Sequence, residues 1–320
     1  MPTADQSPRT ASGAASAGVA AKASQVELIL SELQTLPTLS SIATRVMALT
    51  SSDDTSFPQI AALIEADPTL SAKILALCKR ATVAMPASVT SVRRAVVMMG
   101  VEALQSAILA IEVYEVLRQM PGSVERREPS ALDDPSLPPP RFDAVGFWRH
   151  SLGVACTAEL LAEAQRGLGV RPEEAFTAGL MHDLGKLVLD WVLPRSYSKV
   201  VETAEARAVA LAQAERAILG LDHYVVGKRL GEHWGLPHAL QDVMWLHGQA
   251  YGALPDVKHK TLVALVTLAD AVARQQHVGW SGEYNEPPTL RNLVEPLGLS
   301  ESVVNGVLPR VHEHVAARSS

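Results

Sequence analysis

Apolar residues recur every three or four positions along most of the chain, which is the spacing of helices. From Gln25 to about Met120 the pattern is continuous, as in SIATRVMAL, where Ile42, Val46 and Leu49 share one stripe. Asp67-Pro68 marks a boundary inside this run: Asp is a good N-cap and Pro suits the first helical position, so one helix ends near Ala66 and another begins there. Gly100 closes TSVRRAVVMMG, and VEALQSAILAIEVYEVLRQM follows as a long helix, apolar around much of its circumference. A second periodic run extends from Phe142 to about Ala317. It contains VGFWRHSLGVACTAELLAEAQ, EEAFTAGLMHDLGKLVLDWVL, YSKVVETAEARAVALAQAERAIL, DHYVVGKRLGEHWG, PHALQDVMWLH and HKTLVALVTLADAVARQQ, with a last helix from Ser300 to about Ala316. No alternating strand pattern competes. The expectation is an all-α protein in two parts, an N-terminal helical layer (25–120) packed with a second helical half (142–317).

Two segments lack any period. Residues 1–24 are mostly Ala, Ser, Gly, Thr and Pro, too poor in large apolar groups to offset ordering entropy, and a disordered tail is expected. Residues 121–141, PGSVERREPSALDDPSLPPPR, are rich in Pro and charge and read as a linker between the halves. Asp133-Asp134 within it is a solvated charge pair.

Ionisable residues fall on faces that should be dry. The stripe of the first helix in the second half runs Phe147, His150, Val154, Ala158, Leu161. The next runs Phe176, Leu180, Asp183, Leu187, with His182 about 100° round from Asp183. Then come His223, Val226, Leu230 and Trp234; Leu240, Val243 or Met244, and His247; and Val263, Val266, Asp270 and Ala273. One buried histidine is ordinarily a satisfied core residue. Helix after helix repeating the placement suggests convergence on a metal ion, since a buried charge needs a partner. Mixed imidazole and carboxylate suit iron, manganese or zinc, and the lack of Cys ligands argues against a closed structural zinc site.

Composition narrows the picture. The chain of 320 residues is 48% hydrophobic but only 4% aromatic, so Ala, Val and Leu must fill the core, which suits close-packed helices. A net charge of −6 gives no general attraction for nucleic acid or anionic lipid. Lys79-Arg80 and Arg93-Arg94 form the only basic cluster, so a helix-turn-helix DNA reader is not expected and the first half reads as a scaffold or partner-binding layer. Cys78 and Cys156 show no metal-like spacing and read as small buried hydrophobes. No apolar run is long enough for a membrane span and no secretory signal is visible, so a cytoplasmic protein is expected.

His150, then His182-Asp183, then Asp270 resembles the H…HD…D ligand set of the HD superfamily of metal-dependent phosphohydrolases. His223 and His247 resemble the additional histidines of its cyclic-dinucleotide phosphodiesterase branch. Gly248 stands where that branch has a second His, and HGQAYGALPD lacks its GYP signature. By overall layout the chain resembles the HDOD group, the HD-related output domain of bacterial signalling proteins. LPTLSSIATRVMAL, IEADPTLSAKILAL and SVTSVRRAVVMMG look like its N-terminal half, and LMHDLGKLVL, ILGLDHYVVGKRLGEHWGLP and LADAVA like its C-terminal half. Lys79-Arg80 departs from the Asn-Ser that the group tends to carry.

The resemblance implies one or two divalent ions (Fe, Mn or Zn), held by His150, His182, Asp183 and Asp270, with Asp183 bridging to a second at His223 and His247. As a regulatory module the chain would bind other signalling proteins. As an enzyme it would hydrolyse a nucleotide, cyclic dinucleotide or other phosphoester, with Asp183 and Lys186 catalytic and Lys186 reaching the phosphate as a point charge. The alternative for Lys186 is an ordinary solvated lysine. Elsewhere, Trp234 and Trp245 read as core. His233, His238, His259 and His277 read as exposed or capping, and His312 and His314 as decorating a helix C-terminus.

Overall fold

The structure, a computed structural model, describes residues 23, 26–50, 56–80, 91–119 and 141–319. Nearly all of the expected tail and linker, Asp133-Asp134 included, therefore lies outside the described residues, as do the side chains of Cys78, Lys79 and Arg80. Among the described residues every regular element is a helix.

The first part comprises α1 (26–35), α2 (Ser41–Thr50), α3 (Phe57–Glu65), α4 (Pro68–Arg80) and α5 (Val92–Gln119). Asp67 caps α4 as its sequence suggests, its Oδ1 accepting from the backbone N–H of Thr69 (2.8 Å) and Leu70 (3.0 Å). α5 is broken at Gly100, where φ is 77° and ψ 163°. Against it pack α2, α3 and α4, and the second part as well.

The second part begins with α6 (Ala144–Ala164), α7 (Pro172–Met181), α8 (Leu184–Val192), α9 (Pro194–Arg207) and α10 (Leu211–Ile218). It continues with α11 (His223–His233), α12 (His238–Leu246), α13 (Lys260–Gln275), the short α14 (Leu290–Val294) and α15 (Glu301–Ser319). Asp143 caps α6 through Gly146 N (2.8 Å), and Asp222 caps α11 through Val225 N (3.0 Å). α6 packs on α7, α13 and α15, while α11 packs on α8 and α12.

Two long periodic stretches are each divided. The expected helix through AGLMHDLGK stops at Met181, because Asp183 (φ −104°, ψ 11°) has left helical geometry before α8 starts. His182 Nδ1 donates to the Gly179 carbonyl (2.7 Å), taking an acceptor at the end of α7. Gly185 then lets α8 close on α11: a Cβ there would sit 2.0 Å from the His223 carbonyl oxygen. The stretch from Tyr197 to Leu219 is likewise two helices, α9 ending at Ala208 in left-handed geometry (φ 49°).

The two parts share one apolar cluster, which runs from Ile29 to Val315. Polar bonds cross the seam as well. His233 Nε2 donates to Leu36 O (3.2 Å), Trp234 Nε1 to Pro37 O (3.0 Å), and Ser106 Oγ to Glu173 O (3.2 Å). His233, expected to be exposed or capping, is half-buried at the junction, its ring held by the Leu36 carbonyl. His259 is half-buried too, bonded to Asp242 Oδ2 (2.8 Å), whereas His277 is exposed. Trp234 is core as expected, but Trp245 is half-buried, with the Lys228 ammonium 3.6 Å from its ring centroid. No single helix among the described residues is long and apolar enough to cross a membrane.

Candidate metal centre

Each histidine of the expected set is held at Nδ1. His150 donates from Nδ1 to Val278 O (3.2 Å), His182 to Gly179 O (2.7 Å), His247 to Val243 O (2.8 Å), and His223 to Glu215 Oε2 (2.6 Å). Every one of these partners is an acceptor, so Nδ1 carries the proton and a neutral ring presents its lone pair at Nε2. The Nε2 atoms turn toward the two carboxylates. His150 Nε2 lies 3.0 Å from Asp270 Oδ1, and His182 Nε2 3.1 Å from Asp183 Oδ2. On the other side of Asp183, Oδ1 lies 3.2 Å from His247 Nε2 and 3.6 Å from His223 Nε2.

The structure thus brings all six expected residues into one cluster, fed by α6, the α7–α8 break, α11, α12 and α13. Five are between 1% and 5% exposed, and the Asp270 side chain, at 19%, is the one that reaches toward solvent. Donor atoms of His150, His182 and Asp270 lie within 4.8 Å of one another, and so do those of His182, Asp183 and His247. His223 stands at the edge of the second group.

This arrangement fits a divalent cation. Lone pairs on imidazole nitrogens face carboxylate oxygens, and the Nε2 atoms of His182 and His223 are buried with no hydrogen-bond partner. Anchored Nδ1 with inward Nε2 is the orientation in which histidine binds metal. The charges of the cluster act on one another in pairs. Burial opposes ionisation of Asp183, but His182 and Lys186 outweigh it and hold the carboxyl well below its usual range. Burial likewise fails to raise Asp270, which His150 holds low. For His182 the charge of Asp183 overcomes burial and raises the pKa, whereas for His247 burial prevails and lowers it.

Lys186 is 2% exposed, which rules out the solvated lysine. Its Nζ donates to Asp183 Oδ2 (2.8 Å), Ser281 O (2.9 Å) and Glu283 Oε1 (3.1 Å), so all three N–H groups are used within the chain. Asp183 and Glu283 outweigh burial and raise its pKa. Lys186 stands here as the counter-charge of Asp183 and Glu283. The space beside Gly248 is taken as well: a Cβ there would sit 1.9 Å from Tyr224 Oη. Tyr224 packs on the rings of His223 and His247, with centroids 4.0 and 4.8 Å away. A second histidine at position 248 therefore has no room while Tyr224 holds this place.

Two members of the site escaped the sequence. Glu215 lies on the buried stripe Leu211, Glu215, Leu219, the same kind of signal that points to the histidines. Glu283 lies in the irregular segment between α13 and α14, where no period exists to read.

Residues 36–250 match the HDOD domain family. An uncharacterized protein of Treponema pallidum is 22% identical over 77% of the chain, and the match spans only 44% of that longer protein. Among solved structures, an HDOD domain protein of unknown function from Geobacter sulfurreducens superposes with a TM-score of 0.69 at 24% identity, covering 90% of this chain and 95% of that one. A candidate signal transduction protein from Marinobacter aquaeolei VT8 gives 0.70 at 20% identity, covering 93% and 64% respectively. These likenesses establish the all-α fold, and the family match covers most of the chain: it belongs to the HDOD domain family.

Proposed function

We propose that this chain is a regulatory module of bacterial signalling that acts through protein contacts. Its second half holds one or two divalent ions at His150, His182, Asp183, His223, His247 and Asp270. The observation that carries the metal assignment is the common orientation of the four imidazoles, Nδ1 anchored and Nε2 turned onto Asp183 and Asp270. The regulatory reading is supported by how enclosed the cluster is. Five of its donors are nearly inaccessible, and Lys186 is spent on Asp183, Ser281 and Glu283. Such a site stabilises a particular packing of α6, α8, α11 and α13, and the surface they support is what a partner would read.

A second reading, a metal-dependent phosphohydrolase acting on a nucleotide or cyclic dinucleotide, is favoured by the full donor set and by a neighbouring cavity. That cavity, of about 300 Å³, is lined by His150, Arg274, Trp280, Glu283 and Tyr284 among others. Bound ions would supply charge neutralisation on a phosphoryl group and an activated water. In that case Asp270, the accessible ligand, faces substrate, and Lys186 must leave Glu283 to meet a phosphate.

The readings separate in one pair of experiments. The regulatory module predicts no turnover of a panel of nucleotides and cyclic dinucleotides by metal-loaded protein. It also predicts a signalling partner whose capture needs the surface formed by α1–α5 and weakens when Asp183→Asn disturbs the packing that the ions hold. Turnover that is abolished by His182→Ala and Asp183→Asn establishes the hydrolase instead.

A further inference from the structure

Glu215 is 0% exposed and belongs to none of the ion-holding groups. Its Oε2 accepts from both the backbone N–H (2.8 Å) and the Nδ1–H (2.6 Å) of His223, and its Oε1 accepts from the Tyr197 hydroxyl (2.8 Å). Burial, and then the charge of Glu215, push the Tyr197 phenol up, so it keeps its proton and remains a donor. Three donors converge on one carboxylate.

His223 is set apart by this anchor. His150, His182 and His247 are each held at Nδ1 by a backbone carbonyl, whereas His223 is held by a carboxylate. A carboxylate at Nδ1 strengthens the ring as a base and adds negative charge behind it. At the far end of the ring, Nε2 is buried with no hydrogen-bond partner and faces Asp183 Oδ1 at 3.6 Å. This unsatisfied atom is an independent sign that the ring is aimed at a ligand. Tying α10 to the start of α11 would need only the backbone bond.

We propose that Glu215 is the positioning residue that gives the His223 side of the cluster its affinity for a second divalent ion. The ion held by His150, His182, Asp183 and Asp270 does not depend on it. The inference rests on the metal assignment above and divides that centre into two unequal positions.

The test is a titration of chelator-stripped full-length protein with Mn²⁺, followed by calorimetry and by counting bound ions. Glu215→Gln keeps the side-chain shape and an oxygen that accepts from His223, with the Tyr197 hydroxyl free to turn and accept from the new amide, while removing the charge. Wild type takes up two ions. The variant binds the first unchanged and the second about 10- to 100-fold more weakly, and His223→Ala loses the second altogether. If Glu215→Gln does not fold, Glu215→Asp, which withdraws the carboxylate from the ring, decides by the same selective weakening. A structural role alone would shift stability and leave the second affinity untouched. Equal affinities in wild type and variant for both ions overturn this inference and leave the metal centre standing. A wild type that takes up a single ion overturns it together with the two-ion assignment, and one that takes up none removes the metal reading itself.

Discussion

Lys186 is the residue whose surroundings say most about how the centre holds together. Its ammonium sits between two buried carboxylates, Asp183 at 2.8 Å and Glu283 at 3.1 Å, and Glu283 in turn accepts from Leu211 N (3.0 Å). Removing one member leaves the others charged and unpaired, a loss on the order of 3–5 kcal/mol. Lys186→Met is therefore predicted to lower the unfolding free energy of metal-free protein by that much, read from urea denaturation curves, and a variant as stable as wild type would show that the trio is dispensable. The same trio sets acid stability. Asp183 and Glu283 are both depressed from ordinary values of 3.8 and 4.5, burial being outweighed by positive neighbours (His182 and Lys186 at Asp183, Lys186 at Glu283). Their contribution is complete above those ordinary values and lost as pH falls through the lower folded ones. Metal-free protein should thus lose stability steeply below about pH 4.5, and Glu283→Gln should make that loss shallower in a pH series of denaturation curves.

At the scale of elements, the break at His182-Asp183 organises the centre. Periodicity located His150, His223, His247 and Asp270 because each lies within a regular helix or at its end. It pointed to Asp183 for a different reason from the one observed, since Asp183 heads α8 from outside the helix rather than riding on a helical stripe. Glu215 carries the same legible stripe, with Leu211 and Leu219. Glu283, on an irregular segment, had no signal to offer. The two-part helical layout was readable because spacing and caps agree, with Asp67 capping α4 and Gly100 interrupting α5 where expected. What spacing cannot convey is how closely two helices approach. At Gly185 an added Cβ would meet the His223 carbonyl at 2.0 Å and Gly227 N at 2.9 Å, both backbone atoms with little freedom to yield. Gly185→Ala should cost about 1–3 kcal/mol and weaken the ion beside His223, read by thermal melting and by ion counts. An unperturbed variant would mean that α8 and α11 are not locked together.

For the whole molecule, the question is whether the first part is an appendage or a layer of one body. The continuous apolar cluster and the bonds from His233 and Trp234 to the chain between α1 and α2 argue for one body. Trp234→Phe removes the indole donor and leaves the Pro37 carbonyl without it, a loss of about 1 kcal/mol. Unfolding followed by circular dichroism and by fluorescence should still give one coincident transition at a lower midpoint, whereas two separated transitions would show the parts to be independent. Such coupling is what would let an ion in the second half influence a surface in the first. All of this depends on whether the cluster binds metal. The direct measurement is the metal content of protein purified without chelator, by mass spectrometry, for wild type beside His182→Ala and Asp183→Ala. The account predicts one to two equivalents of iron, manganese or zinc in wild type and a near-complete loss in both variants. A wild type free of metal that takes none up on reconstitution, or variants that retain the wild-type content, would contradict it.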